Sequence, residues 1–194
     1  MTVAEALGSL AGWDVRILAS DIDTRVLQKA ERAVYDDELL ESVPSGLRDR
    51  WFERAEGGRR VKGALRSLVA FRRMNLVAPS TWTIRTRFDV IFCRNVAIYF
   101  DRPTQDAMFT ALAGLLEPTG YLLSGHAENL HWLSHILRPL GKTIHVPAAP
   151  SATLQRSPDP ILNEVVPPAV RPAALAKAEI AIQVAAASRA RRER

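Results

Sequence analysis

Apolar residues recur with two alternating periods between positions 1 and 146. Val3, Ala6, Leu7 and Leu10 stand at helical spacing and stop at a glycine-containing turn before Trp13. Residues 15–20 (VRILAS) then form a short apolar run closed by Asp21, which predicts a buried strand ending in an acidic loop. Thr24 is placed to cap a helix from Arg25 onward, with Val26, Leu27, Ala30 and Val34 on one face. Strand, acidic loop and amphipathic helix make half of a βαβ unit.

Further helical stretches are predicted over 37–43 and 44–54. Gly57, Gly58 and Gly63 interrupt helical continuity, and residues 68–71 predict a second strand. Residues 88–93 (FDVIFC) are apolar nearly throughout, as a strand covered on both faces requires. A helix over 103–116 carries Pro103 in its first turn and Met108, Leu112, Leu115 and Leu116 on a common side, with Pro118 and Gly120 behind it as stops. Residues 121–124 predict another strand, and 136–146, centred on Leu140-Gly141-Lys142, a closing hairpin. Strands alternating with helices predict an α/β domain with a mostly parallel sheet. Ligands of such sheets bind at the carboxyl ends of the strands. That rule singles out Asp21, then Asn75 and Leu76, then Arg94 and Asn95, then residues 125–129.

Composition changes the picture at the C-terminal end. The chain of 194 residues carries 26 Lys and Arg against 21 Asp and Glu, a net charge of +5. Seven of its twelve prolines lie between Pro147 and Pro172, so the domain of residues 1–146 is expected to give way to a disordered Pro-rich linker over 147–172. Residues 173–194 are Ala-rich with Arg189, Arg191, Arg192 and Arg194 near the end, which predicts a basic helical tail. From Arg171 onward the surplus is +4, leaving the folded part nearly neutral. No aromatic residue is interleaved with the tail arginines, so specific nucleic-acid binding is not expected. Cys93 is the single cysteine, which excludes an intramolecular disulfide and a multi-cysteine zinc site and fits a reducing compartment. No run approaches the ~18 apolar residues of a membrane span. Glu5 stands where a signal peptide needs basic residues. A cytoplasmic protein without membrane insertion is expected.

Asp21, between a strand and a helix, is the kind of residue that accepts hydrogen bonds from ribose hydroxyls, although a simple turn residue has the same signature. No Gly-rich phosphate-cradling turn follows that strand, which argues against NAD or ATP and leaves room for a cofactor with ribose but no phosphate. His126 has no partner at metal-ligand spacing and reads as a loop hydrogen-bonding residue. Cys93 reads as a small buried side chain, Glu128 and Asn129 as caps of a following helix, and Asn95 as a residue holding its loop. Tyr99, taken alone, reads as a packed aromatic on a short helix.

The segments ILASDIDTRVLQKA, FRRMNL, FDVIFCRNVAIYFDRPTQ and LLSGHAENL, in this order and at these intervals, resemble the catalytic domain of the CheR chemoreceptor glutamate methyltransferases over residues 1–146. The resemblance implies a Rossmann-like methyltransferase sheet and transfer of a methyl group from S-adenosylmethionine to glutamate side-chain carboxylates on chemoreceptor signalling helices. It also implies residue roles. Asp21 binds the ribose hydroxyls, Asn75 and Leu76 flank the adenine, Arg94 lies at the cofactor edge, and Tyr99 stands near the methyl donor. Arg94 and Tyr99 form the catalytic pair, with no metal. A glutamate carboxylate is already ionised at neutral pH, so the enzyme's task is alignment and removal of water. An Arg suits it, since it can hold a carboxylate by two parallel hydrogen bonds.

The resemblance also implies a gap. The family's N-terminal helical domain and first strand, with its acidic Gly-containing loop, have no counterpart, so the sheet is expected to be N-terminally incomplete. That strand lies centrally in such sheets, between those represented here by residues 15–20 and 88–93. Their open edges are aggregation hazards unless the two strands pair directly or a partner strand completes the sheet. Weak or absent S-adenosylmethionine binding by this polypeptide alone, and impaired transfer, are expected. The alternative is a non-catalytic partner-binding module derived from the same domain. The stretch 53–64 has only the minimum length for the β-insertion with which some family members grip a receptor tail, which puts such tethering in doubt.

Overall fold

The computed structural model describes residues 1–148 and, through its backbone, the strand Ala176–Gln183. The elements are α1 (Thr2–Leu7), β1 (Trp13–Asp21), α2 (Thr24–Arg32), β2 (Val34–Tyr35), α3 (Ser45–Trp51), β3 (Phe52–Ala55), β4 (Gly58–Val61), α4 (Gly63–Arg66), β5 (Val69–Arg73), β6 (Phe88–Cys93), α5 (Arg102–Gly114), β7 (Leu116–Ser124), β8 (Leu137–Pro139), β9 (Ile144–Pro147) and β10 (Ala176–Gln183). The main sheet has the order β5-β1-β10-β6-β7-β9-β8. Its first five strands run parallel, and the β8–β9 hairpin pairs antiparallel to β7. The α/β domain and the closing hairpin therefore stand as the sequence predicts them.

The tail does not. A helix is predicted over 173–194, yet Ala176–Gln183 is a strand, in parallel register with β1 from Trp13↔Ala176 to Ser20↔Gln183 and with β6 from Ile180↔Val90 to Ile182↔Phe92. The cause is tertiary. Ala, Lys and Glu favour helix by only a few tenths of a kcal/mol per residue, whereas this segment meets two open strand edges and completes a hydrogen-bond ladder on each. The first five positions of AKAEIAIQ also alternate apolar and polar, the period of a strand. The gap between β1 and β6 is thus closed by neither of the expected routes, but by a segment of the same chain. The predicted linker beyond residue 148 and the rest of the tail lie outside the described residues.

Caps, turns and strand pairing explain the remaining differences. The cap of α2 is Asp23, not Thr24: its side chain accepts from Arg25 N–H at 2.8 Å. The helix predicted over 44–54 ends at Trp51, because Phe52 is 5% exposed and opens the β3–β4 hairpin. Gly57 and Gly58 turn that hairpin at φ 78° and 135°, and β2 adds a third strand to it. The barely sufficient length of this stretch does form a small sheet. Helix α5 starts on the Asp101 cap, which accepts from Thr104 N–H at 3.0 Å. It buries Met108, Phe109, Leu112 and Ala113 against the sheet, with Phe88, Ile91 and Leu122 in the same core. β7 runs through Pro118 and Gly120, accommodated by a register shift against β6 between Phe88 and Val90.

Candidate functional site at the carboxyl ends of the parallel strands

Because β5, β1, β10, β6 and β7 are parallel neighbours, their carboxyl ends form one edge. Asp21 closes β1. Its Oδ1 accepts from Asp23 N–H at 2.8 Å, and its carbonyl accepts from Met74 N–H at 3.0 Å. The second bond ties Asp21 to the turn after β5, where Asn75 and Leu76 follow. Asn75 is exposed; its Oδ1 accepts from Val77 N–H at 3.3 Å and its carbonyl from the Trp82 indole at 2.8 Å. Leu76 is 5% exposed and packs in the core with Met74 and Ile84 nearby, so it is a wall and not a surface contact. Beside this group, hydrogen bonds from the Arg25 side chain and backbone hold the Asp23 carboxyl below its usual range.

Arg94 follows β6 across the width of one intervening strand, a separation from the β1 end of about 10 Å at ordinary strand spacing. It is exposed and forms no ion pair among the described residues. The chain then reverses at Asn95, a non-glycine residue at φ 58°, and enters a 3-10 turn, Ala97–Tyr99. Tyr99 is 73% exposed, so the packed-aromatic reading of it fails. Arg94 and Tyr99 thus project into solvent from one loop, placed by its backbone.

That loop is held from two sides. Glu128 Oε1 accepts the Val96 and Ala97 N–H groups at 2.9 and 2.8 Å, and its Oε2 accepts Gly125 N–H at 2.5 Å. Gln105 Nε2, from α5, donates to the carbonyls of Ala97 and Phe100 at 2.9 and 2.8 Å. Gly125 must be glycine, since a Cβ there would run into Asn95 N at 2.8 Å and Glu128 Oε2 at 2.9 Å. Glu128 therefore does not cap a helix, as its position suggested; Asn129 does serve the next turn, accepting from His131 N–H at 2.9 Å. Cys93 is fully buried, and burial together with the Glu128 charge pushes its thiol up to about 12, so it stays protonated and inert. His126 is exposed at the rim. Among the described residues no group of three or more His, Cys, Asp or Glu is placed to hold a metal, and no helix is long and apolar enough to cross a membrane.

Residues 1–146 match the family described as "CheR methyltransferase, SAM binding domain". The chain belongs to that family. Among relatives of this CheR domain is "Chemotaxis protein methyltransferase 2" of Pseudomonas aeruginosa, 45% identical over 152 residues that cover 76% of this chain and 54% of that protein. The "Chemotaxis protein methyltransferase" of Escherichia coli is 40% identical over 150 residues, 75% of this chain and 51% of the relative. A "Probable biofilm formation methyltransferase WspC" of Pseudomonas aeruginosa is 36% identical over 123 residues, 63% of this chain and 29% of its own length. The chain spans about half the length of the curated chemotaxis relatives it matches. β10 lies beyond the matched residues.

S-adenosylmethionine is the cofactor the family implies. The donor set suits its nucleoside half: a carboxylate at the end of β1 fixed through one oxygen, an amide side chain on the adjoining turn, and an apolar wall at Leu76. A cavity of about 1030 Å³ lies elsewhere in the CheR domain, between α1, the β1–β5 face and the small sheet, lined by residues such as Ile17, Leu40, Phe52 and Phe71. None of the predicted site residues lines it.

Proposed function

We propose that this domain transfers methyl groups from S-adenosylmethionine to glutamate side-chain carboxylates on the cytoplasmic signalling helices of chemoreceptors. The observation that supports this most is the common edge on which Asp21, Asn75, Arg94 and Tyr99 lie, in a chain of the CheR family. When bound, the cofactor would supply an activated methyl for an already ionised carboxylate oxygen and leave as S-adenosylhomocysteine, so that no proton transfer would be needed. Asp21 takes the ribose hydroxyls, with Asn75 and Leu76 beside the adenine. Arg94, unpaired among the described residues, draws the acceptor carboxylate to the cofactor edge and orients it by charge-assisted hydrogen bonds. Tyr99 stands near the methyl group and helps to exclude water.

Binding of S-adenosylmethionine by this chain alone is weak in this reading, because the sequence directly after β10, Val184-Ala185-Ala186-Ala187, contains no glycine. Calorimetric titration with S-adenosylhomocysteine is the test. Asp21→Ala is expected to weaken binding at least about tenfold, the loss of a charge-assisted bond worth ~1.5–3 kcal/mol. Equal affinity of the two proteins would remove Asp21 from the ribose role. A second reading, a non-catalytic partner-binding module, is favoured by one observation: a strand from outside the matched region sits at the centre of the sheet. Radiolabelled methyl transfer to receptor cytoplasmic fragments separates the two readings.

A further inference from the structure

Glu128 is 5% exposed, forms no ion pair among the described residues, and meets its hydrogen-bonding needs with three backbone N–H groups. A buried carboxylate left unsatisfied is costly, so such a group fixes whatever supplies its donors. Here the donors belong to two different strand-end segments. Val96 and Ala97 follow β6, while Gly125 follows β7. On the other side Gln105 binds the carbonyls of Ala97 and Phe100, so both polarities of the loop backbone are held from outside it. The loop needs this, because Asn95 adopts a left-handed conformation and Tyr99, at 73% exposure, has little packing of its own.

We propose that Glu128 is a positioning residue for methyl transfer, its carboxylate holding residues 94–99 in the geometry that presents Arg94 and Tyr99, with Gln105 as the complementary clamp. The inference rests on the methyltransferase reading above for its catalytic consequence, and on the hydrogen bonds alone for the clamp. Displacing aligned groups by ~1 Å costs on the order of 100-fold in rate. Glu128→Gln keeps one acceptor oxygen but sets an NH2 group against an N–H, and Gln105→Leu removes both donors on the carbonyl side without touching the buried carboxylate.

Two measurements decide it. Amide hydrogen exchange in the unsubstituted protein should find Val96, Ala97 and Gly125 strongly protected, and protection at Val96 and Ala97 should fall in Glu128→Gln; unprotected amides in the unsubstituted protein overturn the clamp. In methyl transfer, Glu128→Gln and Gln105→Leu should each lower kcat, on the order of 100-fold for Glu128→Gln, with the S-adenosylhomocysteine affinity changing far less. A loss of cofactor affinity as large as the loss of kcat, together with a lower melting temperature, would show a purely structural role and overturn the positioning claim. If Glu128→Gln does not fold, Gln105→Leu decides alone: an unchanged kcat overturns the proposal. Failure of the unsubstituted protein to methylate any glutamate acceptor would count against the function reading, and the exchange experiment would still decide the clamp.

Discussion

His145, 4% exposed on β9, has an Nδ1 without a hydrogen-bond partner among the described residues. Burial, the largest cause, and the His131 charge push its pKa below the usual 6.5, against the opposing pull of the Leu122 backbone hydrogen bond. The folded state therefore favours the neutral ring. The stability this contributes is complete above the unfolded value near 6.5 and is lost as the pH falls from there through the lowered folded value. Urea unfolding should give a free energy that declines as the pH falls below about 6.5, and His145→Gln should flatten that slope; an unchanged slope would assign the decline to other groups. Single residues also show what a sequence can and cannot disclose. The places of Asp21, Asn75 and Arg94 at or just beyond strand ends were legible, because strand ends can be read from where apolar runs stop. Glu128 was not, since its partners at Val96 and Ala97 are some thirty positions away and its own neighbours suggest only a cap. The one hint was the glycine three positions before it, whose reason is spatial.

Among elements, β6 and α5 were the most legible, because each carries an uninterrupted period. Residues 88–93 form β6 as predicted, and α5 differs only at its ends. The buried side of α5 includes Phe109, which the predicted face left out and which is fully buried in the core. Phe109→Ala should cost about 3–5 kcal/mol of unfolding free energy, the price of a large cavity in a packed core, and denaturant titration measures it. A loss below ~1 kcal/mol would mean that the core collapses around the site. Elements whose boundaries depend on neighbours were read less well. α3 stops at Trp51 because Phe52 is recruited into the small sheet, and no local signal marks that recruitment.

At the scale of the whole molecule, the parallel α/β plan was open to reading and its centre was not. β10 comes from an Ala-rich stretch that suits a helix, and the two edges it joins tip its alternating residues into a strand. Ile180 pairs with both Ile17 and Val90, so Ile180→Pro removes a backbone donor in the interior of the sheet. That variant should melt at a lower temperature and self-associate on size exclusion, whereas Ala176→Pro, at the first residue of the strand, should be tolerated. Equal melting of Ile180→Pro and the unsubstituted protein would mean that β10 does not carry the sheet. The same placement has a consequence in time. Residue 13 must wait for residue 176. At ~5–20 residues per second, a ribosome leaves that partner unmade for on the order of ten seconds. Pairings this remote in sequence raise contact order and slow closure. The nascent chain thus passes through a stage in which both inner edges are bare, a stage that chaperones would be called on to shield.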